Sequence, residues 1–323
     1  MFPKETLKKI IKTALPLFIG LLFIYLSVKN TSAEDRATIY DSIKDAHYGY
    51  IFLSLVLGLL SHLSRAVRWN FMLHPMGYSP RLINNVLAIF ITYIANLGVP
   101  RSGELFRATV LQTYEQIPFE KSFGTIIAER AVDVLMLFIT IGIAFVLEFD
   151  LIYRLLQDRL TNPYVLIIAT VGVVGAGLLL LHQLKKTSHP LIQKISALIH
   201  GLTEGFMTIV RMEKKWAYAF HTCFIWTMYV AMFYIIKFAL PETQHLPFEA
   251  LLIGFIVGAL AITATNGGIG IYPFSVSLVL ISYGISKEAS LAFGWIMWTA
   301  QTVMVIFFGS LSFFLLPLVN RKK

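Results

Sequence analysis

"NLGVPRSGELFR" (Asn96–Arg107) decides how this chain is read. It follows the apolar run "LINNVLAIFITYIA" (Leu82–Ala95) and sets Gly98, Pro100, Ser102 and Gly103 among Arg101, Glu104 and Arg107, in a chain that is apolar almost throughout. Glycine and proline interrupt helices. Irregular, charged backbone is tolerated at membrane depth only where protein or a wet cavity surrounds it. The stretch is therefore either a loop beyond the bilayer or the tip of a broken helix within it, and topology decides which.

Working outward, 57% of the 323 residues are apolar and only 14% are charged, with a mean hydropathy of +0.71. That composition excludes a soluble globular domain. Repeated apolar runs of about 18 or more residues point to transmembrane helices, so the fold class is an all-α polytopic membrane protein, one integral membrane domain over 1–323. The net charge of +9 follows from Lys and Arg collecting at cytoplasmic ends of spans. No basic soluble module is present to bind nucleic acid. The single cysteine, Cys223, excludes an internal disulfide and a cysteine-based metal cluster.

Apolar helices are expected at 11–28, 50–69, 82–98, 124–147, 163–183, 216–239, 248–265, 271–283 and 289–317. The first, with its basic lead-in, is similar to a signal peptide but reads as an uncleaved span. Residues 185–215 place Leu191, Ile195, Leu198, Leu202, Phe206 and Ile209 at helical spacing, an amphipathic helix at the cytoplasmic interface. Lys4, Lys8, Lys9 and Lys12, then Arg65, Arg68 and Arg81, the 185–215 segment and the terminal "NRKK" all belong on the cytoplasmic side. The mixed-charge loop after Lys29 and "PETQHLPFE" (Pro241–Glu249) belong outside. These signs cannot all hold if every apolar segment crosses. They hold if 82–98 turns back at "GVPRSGE" and 248–265 turns back at "TNGGIGIYP". The expectation is thus six full spans in a cell (inner) membrane, both termini cytoplasmic, with two re-entrant hairpins entering from opposite faces. That pattern marks a candidate inverted repeat with a site near the midplane. At an offset of 170, Asn96 aligns with Asn266, Gly98 with Gly268 and Gly124 with Gly294.

The first hairpin carries the chemistry. A returning helix near Gly103 presents free N–H groups that attract anions, and the forked guanidinium groups of Arg101 and Arg107 match phosphate oxygens. Glu104 lies three residues from each arginine and shares a helical face with them. In "TIIAERAVDVLMLF" (Thr125–Phe138), Glu129, Arg130 and Asp133 form a second group. With a helix start near Ser122, Asp133 lies about 16 Å deep, where an unpaired charge costs at least about 2.5–3.5 kcal/mol. Glu129 and Asp133 are expected to pair with Arg101 or Arg107, and Arg65 and Arg68, beside Trp69, to meet a headgroup at the leaflet boundary. Alternatively, these charges only neutralise one another and hold the hairpin. The histidines, His62 among them, have no metal spacing and read as interfacial or hydrogen-bonded. Asp41 and Asp45 form a D-x-x-x-D pair that reads as a solvated face or as a metal site of a lipid-dependent transferase.

"NLGVPRSGELFR", "ERAVDVL" beginning 22 residues after Arg107, and "TNGGIGIYPF" (Thr265–Phe274) together resemble the membrane domain of the lysylphosphatidylglycerol synthetase/flippase family. The resemblance covers nearly the whole chain. It implies movement of aminoacylated phosphatidylglycerol or other lipids between leaflets. It puts Arg101, Glu104, Arg107, Glu129, Arg130 and Asp133 on the family's polar motif and Gly267, Gly268 and Gly270 on its late glycine motif. Relatives often carry an acidic residue after those glycines, where Tyr272-Pro273-Phe274 stands here. The bifunctional members continue into a soluble synthetase domain, whereas this sequence ends at Lys323.

The expected function is a lipid translocase rather than an enzyme, without cofactor or metal, that binds an anionic or phosphate-bearing headgroup in a midplane polar cavity. The binding residues would be Arg65, Arg68, Asn96, Arg101, Glu104, Arg107, Glu129, Arg130, Asp133, Asn266, Gly267, Gly268 and Gly270. Its partners would be a membrane phospholipid or lipid-linked substrate and a separate lipid-modifying enzyme. The alternatives are a polytopic lipid-dependent transferase and a non-transporting partner in envelope assembly.

Overall fold

The computed structural model describes residues 33–99, 101–149, 212–265 and 267–321. The spans expected at 11–28 and 163–183, most of the amphipathic 185–215 segment, and Pro100 and Asn266 lie outside them. The described residues form helices α1 (Ala33–Lys44), α2 (Tyr48–Leu73), α3 (Leu82–Gly98), α4 (Gly103–Glu115), α5 (Phe119–Leu147), α6 (Lys215–Ile235), α7 (Phe248–Ala264), α8 (Ile271–Ser282) and α9 (Lys287–Val319). Short 3₁₀ turns follow α2 (His74–Met76) and α6 (Ile236–Ala239, Pro241–Thr243). Helix α1 replaces the loop expected after the first span. Lys44 lies in its last turn, where a helix dipole favours a base.

The segments Tyr48–Met76, Phe119–Leu147, Lys215–Ala239 and Lys287–Val319 are long and apolar enough to cross a membrane. This is a polytopic membrane protein. Between α2 and α5 stands the short pair α3–α4, and between α6 and α9 the short pair α7–α8. The 17 residues of α3 and of α7 rise about 25 Å each, less than the roughly 30 Å of a hydrocarbon core. Each is followed closely by a second helix that packs back against it.

The chain divides into two compact units, Met1–Ile126 with Glu213–Lys323, and Ile127–Met212. The boundary falls inside α5, one continuous helix. In the first unit α2 lies along α6, with the Ser54 hydroxyl donating to the Met232 carbonyl at 2.8 Å. The start of α2 meets the end of α6, where His47 N donates to Ala239 O at 2.8 Å. Helix α9 also begins at this end, packing on both 3₁₀ turns that follow α6.

At the opposite end, Asn85 Nδ2 at the start of α3 donates to Asn70 Oδ1 near the end of α2, 2.6 Å away. Both open ends of the first pair are fastened here. Asn84 on α3 donates to Glu115 on α4 and exchanges hydrogen bonds of 2.9 and 2.8 Å with Asn320, just past α9. The second pair has its open ends at the other end, α7 leaving the 3₁₀ turns and α8 leading into α9. The two pairs therefore point toward each other.

Their tips touch. A Cβ added to Gly267, in the α7–α8 turn, would run into Leu97 Cδ2 in the last turn of α3. Trp298 Nε1 of α9 donates to Gly267 O at 2.7 Å, and Ile94 of α3 lies against Gly309 of α9, where an added Cβ would come within 2.6 Å. Trp298 and Gly309 straddle the midpoint of the 33-residue α9. The contact thus lies halfway along the longest of the described helices.

Candidate functional site

The turn between α3 and α4 is tied by its own side chains. Helix α3 ends at Gly98, and Arg101 takes a left-handed backbone with φ 61°, uncommon for a residue with a Cβ. Asn96 bridges the turn, its Oδ1 accepting from Gly103 N at 2.8 Å and its Nδ2 donating to Glu104 Oε2 at 3.4 Å. One side chain thereby satisfies a free N–H at the start of α4 and holds the acid of its first turn. The Ser102 hydroxyl donates back to Ala95 O at 3.1 Å and Val99 O at 2.8 Å. A Cβ on Gly103 would run into the Thr92 carbonyl oxygen, so only glycine permits the return this close to α3. Arg101 is exposed and Glu104 half-buried.

Arg107, one turn further along α4, is buried with its guanidinium over the Trp69 ring, 3.8 Å from the centroid. Trp69 of α2 is fully buried and donates through Nε1 to Thr125 Oγ1 of α5 at 2.9 Å. Stacking on an indole holds a guanidinium with its forked edge still directed sideways.

Arg65 and Arg68 depart from the expectation. Rather than marking the end of a span, they lie inside α2, which runs on to Leu73, and they are 4% and 0% exposed. Arg65 Nη2 donates to the Tyr229 hydroxyl at 3.2 Å, and Arg68 Nη1 to Thr222 Oγ1 at 3.1 Å, with the Tyr218 ring 5.4 Å from the Arg68 guanidinium carbon. The helix continues because nothing after Trp69 breaks it before His74-Pro75. Arginine has the long stem and planar head needed to reach partners on α6 from within the packed interior.

The second unit carries the other polar group on α5, which starts at Phe119 rather than near Ser122. Asp133 is therefore about 21 Å from the helix start instead of about 16 Å. Glu129 is buried, and Asp133 is paired along its own helix with Arg130 at 3.9 Å.

In the glycine turn, Gly267, Gly268 and Gly270 all have positive φ, which explains the glycines that the sequence motif singled out. Asp41 and Asp45, the residues behind the transferase alternative, are both exposed on or just beyond α1.

Sequence reasoning named Trp69 only as a neighbour of Arg65 and Arg68, and passed over Tyr93, Thr125, Thr222 and Tyr229. A signal was available on α2, where Ser54, Gly58, Ser61, Arg65 and Arg68 recur with a period of 3.5 and are all buried. A polar stripe at helical spacing inside an apolar span marks the face turned to other helices.

Comparison with known proteins also points to a membrane protein. The family described as "Lysylphosphatidylglycerol synthase TM region" matches residues 13–309. The chain belongs to it. A relative of this lysylphosphatidylglycerol synthase TM family member is the UPF0104 membrane protein MJ1595 of Methanocaldococcus jannaschii, 25% identical over 94% of this chain and 86% of its own length. Glycosyltransferase AglD of Haloferax volcanii is 29% identical over 36% of this chain, which is 19% of that protein. No solved structure matches the chain.

Proposed function

We propose that this member of the lysylphosphatidylglycerol synthase TM family is a lipid translocase. It takes a phosphate-bearing headgroup between two re-entrant hairpins while the acyl chains stay in the bilayer. The observation that carries this reading is the contact of Leu97 with Gly267, where two half-length helix pairs entering from opposite ends touch halfway along α9. Broken helices that meet in this way put helix termini and polar side chains at mid-bilayer. On this reading six spans cross, the four long helices together with those expected at 11–28 and 163–183. The end carrying Arg81 and Asn320 faces the cytoplasm.

Arg107, Arg65 and Arg68 supply fixed positive charge in the buried interior. Arg101 stands at the tip as the first contact for a phosphate, beside the dipole of α4. Glu104, held by Asn96, positions the turn. Reconstituted in liposomes, the protein is expected to move a labelled phosphatidylglycerol between leaflets, and Arg107→Ala to slow this about tenfold or more. Liposomes with wild-type protein that move no phospholipid of any headgroup faster than empty liposomes would refute the assignment.

A further inference from the structure

His62 sits 14 residues into α2, about 21 Å from the start of a helix about 39 Å long, and so near mid-bilayer on the reading above. It is 7% exposed, and its Nδ1 is buried with no hydrogen-bond partner among the described residues. A buried imidazole normally has its polar atoms satisfied, and an unpaired one in a low-dielectric interior is costly.

Aromatic rings from α3 and α6 wall the imidazole. Tyr93 of α3 lies 4.5 Å away centroid to centroid, Phe90 of α3 5.6 Å, and Tyr229 of α6 6.4 Å. Two of these neighbours carry hydroxyls, and they are only 3.5 Å apart, at the outer limit of a hydrogen bond. Tyr229 is also the hydroxyl to which Arg65 donates. An imidazole, two phenols and a guanidinium therefore converge from α2, α3 and α6. Each can donate a hydrogen bond.

We infer that His62, Arg65, Tyr93 and Tyr229 form a subsite for a phosphate group bearing at least one ionised oxygen, with His62 as its positioning donor. This rests on the translocase reading and goes beyond it in naming the residues that grip the headgroup in transit. A phosphate oxygen between the two tyrosines replaces their long mutual hydrogen bond with two charge-assisted ones and gives His62 Nδ1 a partner. Because Tyr93 is one turn from Leu97 at the hairpin tip, occupancy would tie the first hairpin to α2 and α6. Among the described residues, the charged or titratable groups facing His62 are Arg65 on its own helix, Tyr93 on α3 and Tyr229 on α6.

The test uses the full chain in nanodiscs, with short-chain dihexanoylphosphatidylglycerol and, separately, inorganic phosphate as probes. Binding is read from affinity and from the imidazole NMR signal that disappears in His62→Gln. His62→Phe keeps the ring and its stacking but removes the donor, and is expected to weaken lipid binding about tenfold. Tyr93→Phe should weaken it about threefold, and the wild-type His62 signal should shift on lipid addition. If the effects appear with inorganic phosphate and not with the lipid, the subsite stands but belongs to a free anion. If the wild type binds the lipid while His62→Phe binds equally well and the His62 signal stays fixed, the subsite is overturned and the translocase reading survives. If the wild type binds neither probe, the subsite is overturned, and the liposome assay across headgroups decides the translocase reading separately.

Discussion

The two hairpin tips solve one problem in two ways. Between α3 and α4 the chain reverses on side-chain hydrogen bonds from Asn96 and Ser102, with Arg101 held in a left-handed conformation that suits it poorly. Between α7 and α8 the chain reverses on three glycines, all at positive φ, and is fastened from outside by Trp298. The first turn exposes Arg101 and sets Glu104 beside it, whereas the described residues of the second, Thr265 and Gly267–Gly270, carry no charge. A turn built from side chains keeps its functional groups at some conformational cost. A turn built from glycine keeps a low-strain, compact shape against which the other can rest. On the proposed function, the first turn is suited to contacting a ligand and the second to supporting it.

The largest expected effect tests the support. Gly267→Ala forces a side chain onto a left-handed backbone and into Leu97, and should cost about 2 kcal/mol of stability. Leu97→Ala in the same protein should recover about 1 kcal/mol of that, a coupling measurable in a double-mutant cycle of thermal or denaturant unfolding in detergent. Additive effects would mean the tips do not touch. A smaller effect probes the other tip. Asn96→Ala removes the link to Gly103 N and Glu104, and should cost about 1 kcal/mol. If its loss matches that of Gly267→Ala, the contrast between the turns disappears. The smallest effect has the opposite sign. Arg101→Gly relieves the left-handed strain and should raise stability by about 0.5–1 kcal/mol while slowing lipid movement in liposomes. A variant both less stable and equally active would show that Arg101 serves the fold rather than the ligand.

Much of the architecture is legible in the sequence. The apolar runs place α3 at 82–98 as it is observed, and α7 and α8 to within a residue at each end, because Gly98-Val99-Pro100 and the glycine turn interrupt helices through local backbone chemistry. The charge signs require two segments to turn back, and the described hairpins stand at those two segments. Helix α1 is not legible. Its sequence "AEDRATIYDSIK" has too little apolar surface to announce a helix, and its packing on α9 is a tertiary matter. Arg65 and Arg68 mislead for a related reason. Charge near an expected span end looks like a boundary, and only the partners on α6 show that the helix carries both residues through the interior.

By itself, then, the sequence determined that the chain is helical and membrane-embedded, where its helices break, and which residues bring charge to the first break. Those properties follow from hydropathy and backbone preference, which act over a few residues. Tertiary structure alone decided that the breaks touch at the middle of α9, that Arg107 rests on Trp69, and that His62 lies buried between helices far apart in sequence. These are matters of packing between distant segments, fixed by which side chains and glycines allow two helices to approach.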